Sequence, residues 1–461
     1  MSDAPAADGH LDALLDGPLN AQIDALASAQ ISSVQLTEGY LQRIAARNPD
    51  LGAFWAVDGE GARVAAQASD SRRQDNQAVH PLDGIPFAVK DNIDAAGLPT
   101  TAGMATRRGR LPESDATCVA RLRRTGAVLL GKLQMDEAAA SASGDNSHYG
   151  RCANPRHPGH SCGGSSGGSA AAAAAGLCSF ALGSDSLGST RIPASYCGVV
   201  GFKPSHGRIS QHGLVKVARR LDQVGLLARA GGDLPALFQA VSGIDHRDPT
   251  SHSVPLAHAE VHGRRLRIAY LSNLTELGVT PPVAQRFAAT VAQIAEAIGD
   301  PTPVRLELAS LHRWRRAGLL LCEAEMLIEH ADDWAERPAS FSPELQRMLQ
   351  FAQTRSASDL VAAERELDQA LLTLREILGR HDVLLTPATP QSAYALTDPV
   401  PTDQALLTAI ANFAGAPAIS VPMAPAADGL SIGLQAIGAI GSDLLLMALA
   451  ERFEQLRDAA P

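Results

Sequence analysis

From Cys162 to Gly201 the chain reads CGGSSGGSAAAAAAGLCSFALGSDSLGSTRIPASYCGVVG, and no other stretch limits the possible folds as much. It carries two glycine-rich, serine-bearing turns, at Ser165 and Ser189. Between them lie a run of alanines, Ala170 to Ala175, and an apolar segment, Leu177 to Leu182. Gly/Ser-rich segments are often flexible linkers. A linker, however, is not followed at once by strong helix formers, and here Ser169 opens and Gly176 closes a compact alanine helix. A helix bare of long side chains should pack tightly against its surroundings. The apolar segment is strand-like, and Gly183 is expected to break it. Glycine beside a hydroxyl lets backbone N–H groups approach a reacting atom closely. Two such turns can supply a nucleophile and an oxyanion hole.

The 461 residues could form one large α/β domain or several smaller ones. Aromatics make up only 4% of the chain, so its core must be built from Ala, Leu, Val and Ile. The net charge of −10 argues against a nucleic-acid or anionic-membrane binder, either of which needs a basic face. The acidic start, MSDAPAADGHLDALLDG, does not read as a signal peptide. No apolar run of about 18 residues predicts a membrane span. The six cysteines, 118, 152, 162, 178, 197 and 322, show no CxxC pair and read as free thiols in a reducing cytoplasm. The histidines lack HExxH or related spacing, so no metal site is expected.

Along the chain, Leu36, Tyr40, Leu41 and Ile44 fall at helical spacing, and Asn48-Pro49 is expected to end that helix. A short strand, Ile85 to Val89, delivers Lys90. Thr117 to Thr125 reads as a helix, with Arg121, Arg123 and Arg124 on its wet side, and Ala127 to Leu130 as the next strand. Helices are also predicted around Leu234–Val241 and over 285–298, 357–379 and Leu444–Leu456. Late strands are predicted at Val383–Leu385, Ile419–Val421 and Ile432–Leu434. Strand–helix–strand alternation argues for an α/β sheet with helices on its faces. The polar, proline-interrupted run His246–Pro255 reads as a surface connection and the best candidate for a hinge. The prolines at 399, 401 and 425 mark loops, and the expectation is one continuous domain over 1–461.

Ser165 formally satisfies G-x-S-x-G, the nucleophile elbow of serine hydrolases. An elbow needs a strand just before the serine, and Arg156 to Cys162 cannot supply a good one. A lysine in the position of Lys90 is commonly a surface residue with its head in water. If buried, it loses basicity and can act as a neutral base. A Ser-Lys pairing is an established alternative to Ser-His-Asp.

At this point the residues resemble a family. SSVQLTEGYLQRI, PLDGIPFAVKDNI, GAVLLGKLQMDE, NSHYG, CGGSSGGSAAAAAAG, LGSDSLGSTRIPASYCGVVGFKPSHGRIS, LDQVGLLAR, LLTPATP, NFAGAPAISVP and GLQAIG occur in the order and spacing of the amidase signature family, nearly end to end. The resemblance implies a large mixed, twisted β-sheet covered by α-helices on both faces. It implies a triad of Lys90, a serine after a cis peptide bond at Ser165, and the nucleophile Ser189. It also implies an oxyanion hole from the backbone of Ser186, Leu187, Gly188 and Ser189, with Ser166, Asp185 and Arg191 in support. No cofactor or metal is implied. One departure stands out: the family pattern D-x-G-G-S is here Asp185-Ser186-Leu187-Gly188-Ser189. If the replaced glycine had positive φ, Leu187 would be strained; otherwise its side chain could point toward the acyl pocket.

The implied activity is hydrolysis of a small-molecule C–N bond in an amide, an anilide or a carbamate (urethane), in a cytoplasmic monomer or homodimer. The segment Ala138, Ala139, Ala140, Ser141, Ala142, Ser143 corresponds to a wall of the acyl pocket. Its small residues imply room and no buried charge to recognise a carboxylate, and the sequence names no charged specificity residue. One alternative is the amidase subunit of a glutamine-dependent amidotransferase. That subunit usually carries R-Q-P after the nucleophile, where this chain has Arg191-Ile192-Pro193. Another is a urea-derivative (allophanate-like) hydrolase, which often carries a large C-terminal extension; a chain closing at Pro461 is expected not to be one.

Overall fold

The computed structural model describes residues 4–253, 255–256 and 266–459. Among the described residues, eleven strands join in one sheet. They are β1 (Phe54–Val57), β2 (Pro86–Lys90), β3 (Val128–Leu133), β4 (Phe180–Asp185), β5 (Val200–Lys203), β6 (Gln223–Ala228), β7 (Ile268–Leu271), β8 (Thr302–Val304), β9 (Val383–Pro387), β10 (Ala418–Pro422) and β11 (Gly433–Gly438). Their spatial order is β1-β3-β2-β4-β6-β5-β10-β11-β9-β7-β8. The sheet is mixed. β3, β2 and β4 run parallel, β9, β7 and β8 run parallel, and the strands between are antiparallel. Every residue of β2, β3, β4, β6, β9 and β11 is buried, which requires cover on both faces. This is the α/β architecture expected from the sequence.

Short apolar runs become strands here because helices shield both of their sides. The helix Gly167–Ala174 packs against β4, and seven of its eight residues, Gly167 to Ala173, are buried. It starts earlier than the alanine run predicts. A Cβ on Gly168 would lie 2.5 Å from Gln134 O and 2.6 Å from Ala53 O, so only the smallest residue admits this approach.

Several boundaries differ from the expectations. The helix Ser33–Leu51 runs through Pro49 and ends on Gly52, whose φ of 63° forms the cap. Proline lies in its last turn, where the helix survives loss of one donor. The strand read at Leu177–Leu182 is instead Phe180–Asp185 and passes through Gly183. Antiparallel pairing of Gly183 with Gly225 on β6 carries the strand past that glycine. The last strand is Gly433–Gly438, later than Ile432–Leu434, because it pairs along its length with both β10 and β9. The strands β1, β7 and β8 and the long helix Leu308–Glu329 had no counterpart in the sequence reading.

In the connection 246–255, Val254 lies outside the described residues. The part described is tied down at its start. Asp245 accepts from Ser210 Oγ (2.8 Å), and Asp248 from the Gln211 N–H (2.7 Å).

Candidate active site

β2 and β4 are parallel neighbours with Val89 opposite Leu182, so both strands end at the same edge of the sheet. Ligand sites in α/β sheets gather at such carboxyl ends. β2 delivers Lys90 there, and β4 delivers Ser184 and Asp185.

Lys90 is fully buried, so it is not a surface residue. Its Nζ donates to Ser165 Oγ at 2.7 Å and to Ser184 Oγ at 2.8 Å. Asn92 Nδ2 donates to the same Ser184 hydroxyl at 3.1 Å. Loss of water is the largest influence on the ammonium and outweighs the fields of Asp136, Asp185 and Asp222, lowering Lys90 to about 7. A large fraction of Lys90 is therefore neutral near pH 7, in contact with hydroxyls that can pass it a proton.

The Gly164–Ser165 peptide is cis. Ser165 is completely buried, with no strand leading into it, which is not the geometry of an exposed elbow. Ser166 braces the site through both ends of the residue. Its N–H donates to Ser189 O (3.1 Å), and its hydroxyl donates to Ser184 O (3.1 Å).

Ser189 opens onto a cavity of about 320 Å³ that Ser186 and Leu187 also line. Among the described residues, none of the backbone N–H groups at 186–189 is hydrogen-bonded to an acceptor, so this loop presents free donors. Two contacts shape it. Ser186 Oγ donates to Asp222 at 2.5 Å, and Thr408 Oγ1 donates to Leu187 O at 2.7 Å. Gly188 has φ of 135°, and a Cβ there would sit 2.2 Å from Thr408 Oγ1. Leu187 is not among the residues with positive φ, so the loop accepts it without strain. Its side chain lines the cavity and lies close to Gly318 on the helix Leu308–Glu329, where a Cβ would come 3.4 Å from Leu187 Cδ2.

Asp185 and Arg191 form a buried pair that clamps the loop at both ends. Arg191 Nη2 donates to Asp185 Oδ1 (2.8 Å) and Nε to Oδ2 (2.9 Å). The remaining guanidinium bonds reach Thr408 O, Gln435 Oε1 and Asn412 Oδ1 at 2.8, 2.6 and 2.6 Å. All five of its donors are thus engaged. The same carboxylate accepts the Thr190 N–H at 3.1 Å. Burial by itself would raise Asp185, but the Arg191 charge and hydrogen bonds reverse that and hold it at about 2.

The sequence reading missed Ser184, Asp136 and Asp222. Asp136 accepts the N–H and Oγ of Ser143 (2.8 and 2.7 Å) and the Gly144 N–H, and burial raises it to about 6. It also missed Arg315, which, with Glu323 and Glu344, brings charge to the cavity wall outside the small-residue segment. Of the small-residue segment, Ala139, Ala140, Ser141 and Ala142 line the cavity; Ala138 and Ser143 do not. Among the described residues no cluster of His, Cys, Asp or Glu has the arrangement of a metal site, and no helix is long and apolar enough to cross a membrane.

A buried lysine bridged to serines thus lies beside a loop of free backbone donors at a cavity. Residues 35–447 match the model of the amidase family. The chain belongs to the amidase family. It is 38% identical over 461 aligned residues to the glutamyl-tRNA(Gln) amidotransferase A-type subunit of Anaeromyxobacter sp. (strain K), covering 92% of this chain and 93% of that one. Among solved structures, it matches with a TM-score of 0.88 and 32% identity a chain from a vestigial protein complex tied to the origins of an s-triazine catabolic enzyme, covering 95% of this chain and 98% of the other. A crystal structure of an amidase matches with a TM-score of 0.86 at 31% identity, covering 95% and 99%.

Proposed function

We propose that the protein hydrolyses a small-molecule amide through an acyl-enzyme on Ser189, with Ser165 and Lys90 moving the proton. The observation that carries this is the 2.7 Å contact of a fully buried Lys90 with Ser165, beside a Ser189 that opens onto the cavity. Neutral Lys90 accepts the Ser165 proton, and Ser165 takes the proton of Ser189. Ser189 Oγ bonds to the amide carbonyl carbon. The resulting oxyanion is held by the backbone N–H groups at 186–189, which favour the charge only as it develops. Ser165 then hands a proton to the nitrogen as the C–N bond breaks, because an amide anion is a poor leaving group. Lys90 returns its proton to Ser165, and the amine departs. Water then adds to the ester carbon, one of its protons passes by way of Ser165 to Ser189 Oγ as the acyl C–O bond breaks, and the acid departs. Ser166, Ser184, Asp185 and Arg191 position these groups.

A second reading is the amidase subunit of a glutamine-dependent amidotransferase, and the curated relatives favour it. The chain is 36–38% identical to several glutamyl-tRNA(Gln) amidotransferase subunits of this type along more than nine-tenths of its length. Against it stands Ile192, which puts an apolar side chain on the cavity wall where that subunit usually has glutamine. The test is ammonia release from glutamine, measured beside turnover of anilides, primary amides, carbamates and nitrophenyl esters. Glutamine as the best substrate would select the amidotransferase reading. Turnover of simple amides or anilides with glutamine inert would select the stand-alone hydrolase.

A further inference from the structure

The helix Leu308–Glu329 carries three arginines near its start, and they differ in what they touch. Arg316 is paired with Glu323 at 2.5 Å, and Arg313 lies 3.7 Å from Glu366. Arg315 lines the cavity, and among the described residues no carboxylate lies within salt-bridge distance of it. One nitrogen, Nη1, donates to Thr402 O at 2.7 Å. Its Nε is buried and has no hydrogen-bond partner. Asp403, next to Thr402, exerts its field on Arg315 without a hydrogen bond or an ion pair to it. A guanidinium with an unmet buried donor is costly unless something supplies an acceptor.

The other charges on the wall do not supply it. Glu323 is already neutralised by Arg316, and Glu344 is exposed at the start of the helix Pro343–Gln353. Much of the remaining wall is small or apolar, including Ala139, Ala142, Leu187, Ile192, Met326 and Val400. A guanidinium in such surroundings presents a fork that matches a carboxylate in two directions.

Resting on the acyl-enzyme reading above, we propose that Arg315 binds a carboxylate on the acyl part of the substrate, so that the preferred substrates are amides of acids carrying a second acidic group. The reacting carbonyl sits at Ser189, the acyl chain lies along the apolar wall, and the carboxylate pairs with Arg315. The Arg315 Nη1–Thr402 O hydrogen bond, with Thr402 also on the cavity wall, fixes one end of the guanidinium.

The test compares two primary amides of equal chain length, 4-carbamoylbutanoate and pentanamide. Ammonia is the only leaving group in either, so all the rest of each molecule must occupy the acyl side. Wild type should show a kcat/KM about 10- to 100-fold higher for the carboxylate, the usual range for a charge-assisted hydrogen bond. Arg315→Met should erase that preference, chiefly through KM, and Arg315→Lys should keep part of it. Arg313→Met, at a site off the cavity, should keep all of it. Equal use of both amides by wild type, or a preference that survives in Arg315→Met, would overturn the proposal. Turnover of neither amide by an enzyme whose Ser189 still reacts with a fluorophosphonate would also overturn it while leaving the hydrolase reading intact. Failure of Ser189 to react at all would instead remove the reading on which it rests.

Discussion

Lys90 and Lys203 are both fully buried, and burial lowers each to about 7. Only their neighbours separate them. Lys203 Nζ donates to Pro204 O (2.9 Å) and Gln223 Oε1 (2.5 Å), acceptors that have no proton to give. Lys90 faces the hydroxyls of Ser165 and Ser184, which do. A depressed lysine pKa therefore does not mark a base in this molecule. In the proposed mechanism Lys90 is the base because its amine meets the Ser165 hydroxyl, one residue from Ser166, whose N–H donates to Ser189 O at the cavity. Lys132 makes the same point from the next strand. It is buried and lowered to about 8, yet it is tied to Thr100 Oγ1 at 2.7 Å with Asp91 3.6 Å away, and among the described residues it makes no hydrogen bond to Ser165 or Ser184.

The comparison can be broken first at the nucleophile. Ser189→Ala should cut turnover on the order of 10⁴-fold or more while leaving the fold intact, read as kcat alongside a melting curve. Residual activity near wild type would move the chemistry elsewhere. Next comes the lysine. Lys90→Ala should lose roughly 10²–10⁴ in rate, and more with an anilide than with a nitrophenyl ester, since only the anilide needs a proton delivered to its leaving nitrogen. Lys90→Arg should do no better, because guanidinium stays protonated.

The pH profile sharpens the same contrast. In the proposed mechanism Lys90 acts only when neutral, so kcat/KM should rise with pH through about 7 and then level. Asp136 titrates nearby at about 6, so the rising limb reports the coupled group. A flat profile across that range would detach Lys90 from the chemistry. Lys203→Met should instead change turnover by only a few fold. Its effect should be on stability, about 1–3 kcal/mol by denaturant unfolding, as Gln223 Oε1 loses its donor. A loss of activity matching that of the Lys90 variants would erase the distinction. The smallest effect is expected at Leu187→Gly. It widens the cavity without touching the free backbone donors, and should alter KM by a few fold.

Much of this was legible in the sequence because the site is largely local. Ser165, Ser166, Asp185, Ser189 and Arg191 lie within one glycine-rich stretch, and the turn chemistry that holds them is written in the same residues. The alternation of short apolar runs with helices gave the α/β class, since buried strands and amphipathic helices have different periods. What stayed hidden depends on pairing across distance. Ser184 is an ordinary strand serine until the β2–β4 register sets it against Lys90. Asn412 and Gln435 close around Arg191 from segments more than 200 positions away, as their hydrogen bonds record. Arg315 lies in a helix with no counterpart in the sequence reading, and only the packing of that helix over Leu187 shows it reaching the cavity. Strand ends slipped for a related reason: Gly183 stays extended because β6 pairs with it, a partner no local pattern names.

The most direct test of the central claim is to locate the covalent adduct. Wild type and Lys90→Met would be treated with a fluorophosphonate, digested, and mapped by mass spectrometry. The account predicts one phosphonyl group on Ser189 in wild type, forming faster as pH rises through about 7, and much slower labelling of the same serine in the variant. Labelling at Ser165, or equally fast labelling of Ser189 without the lysine, would contradict it.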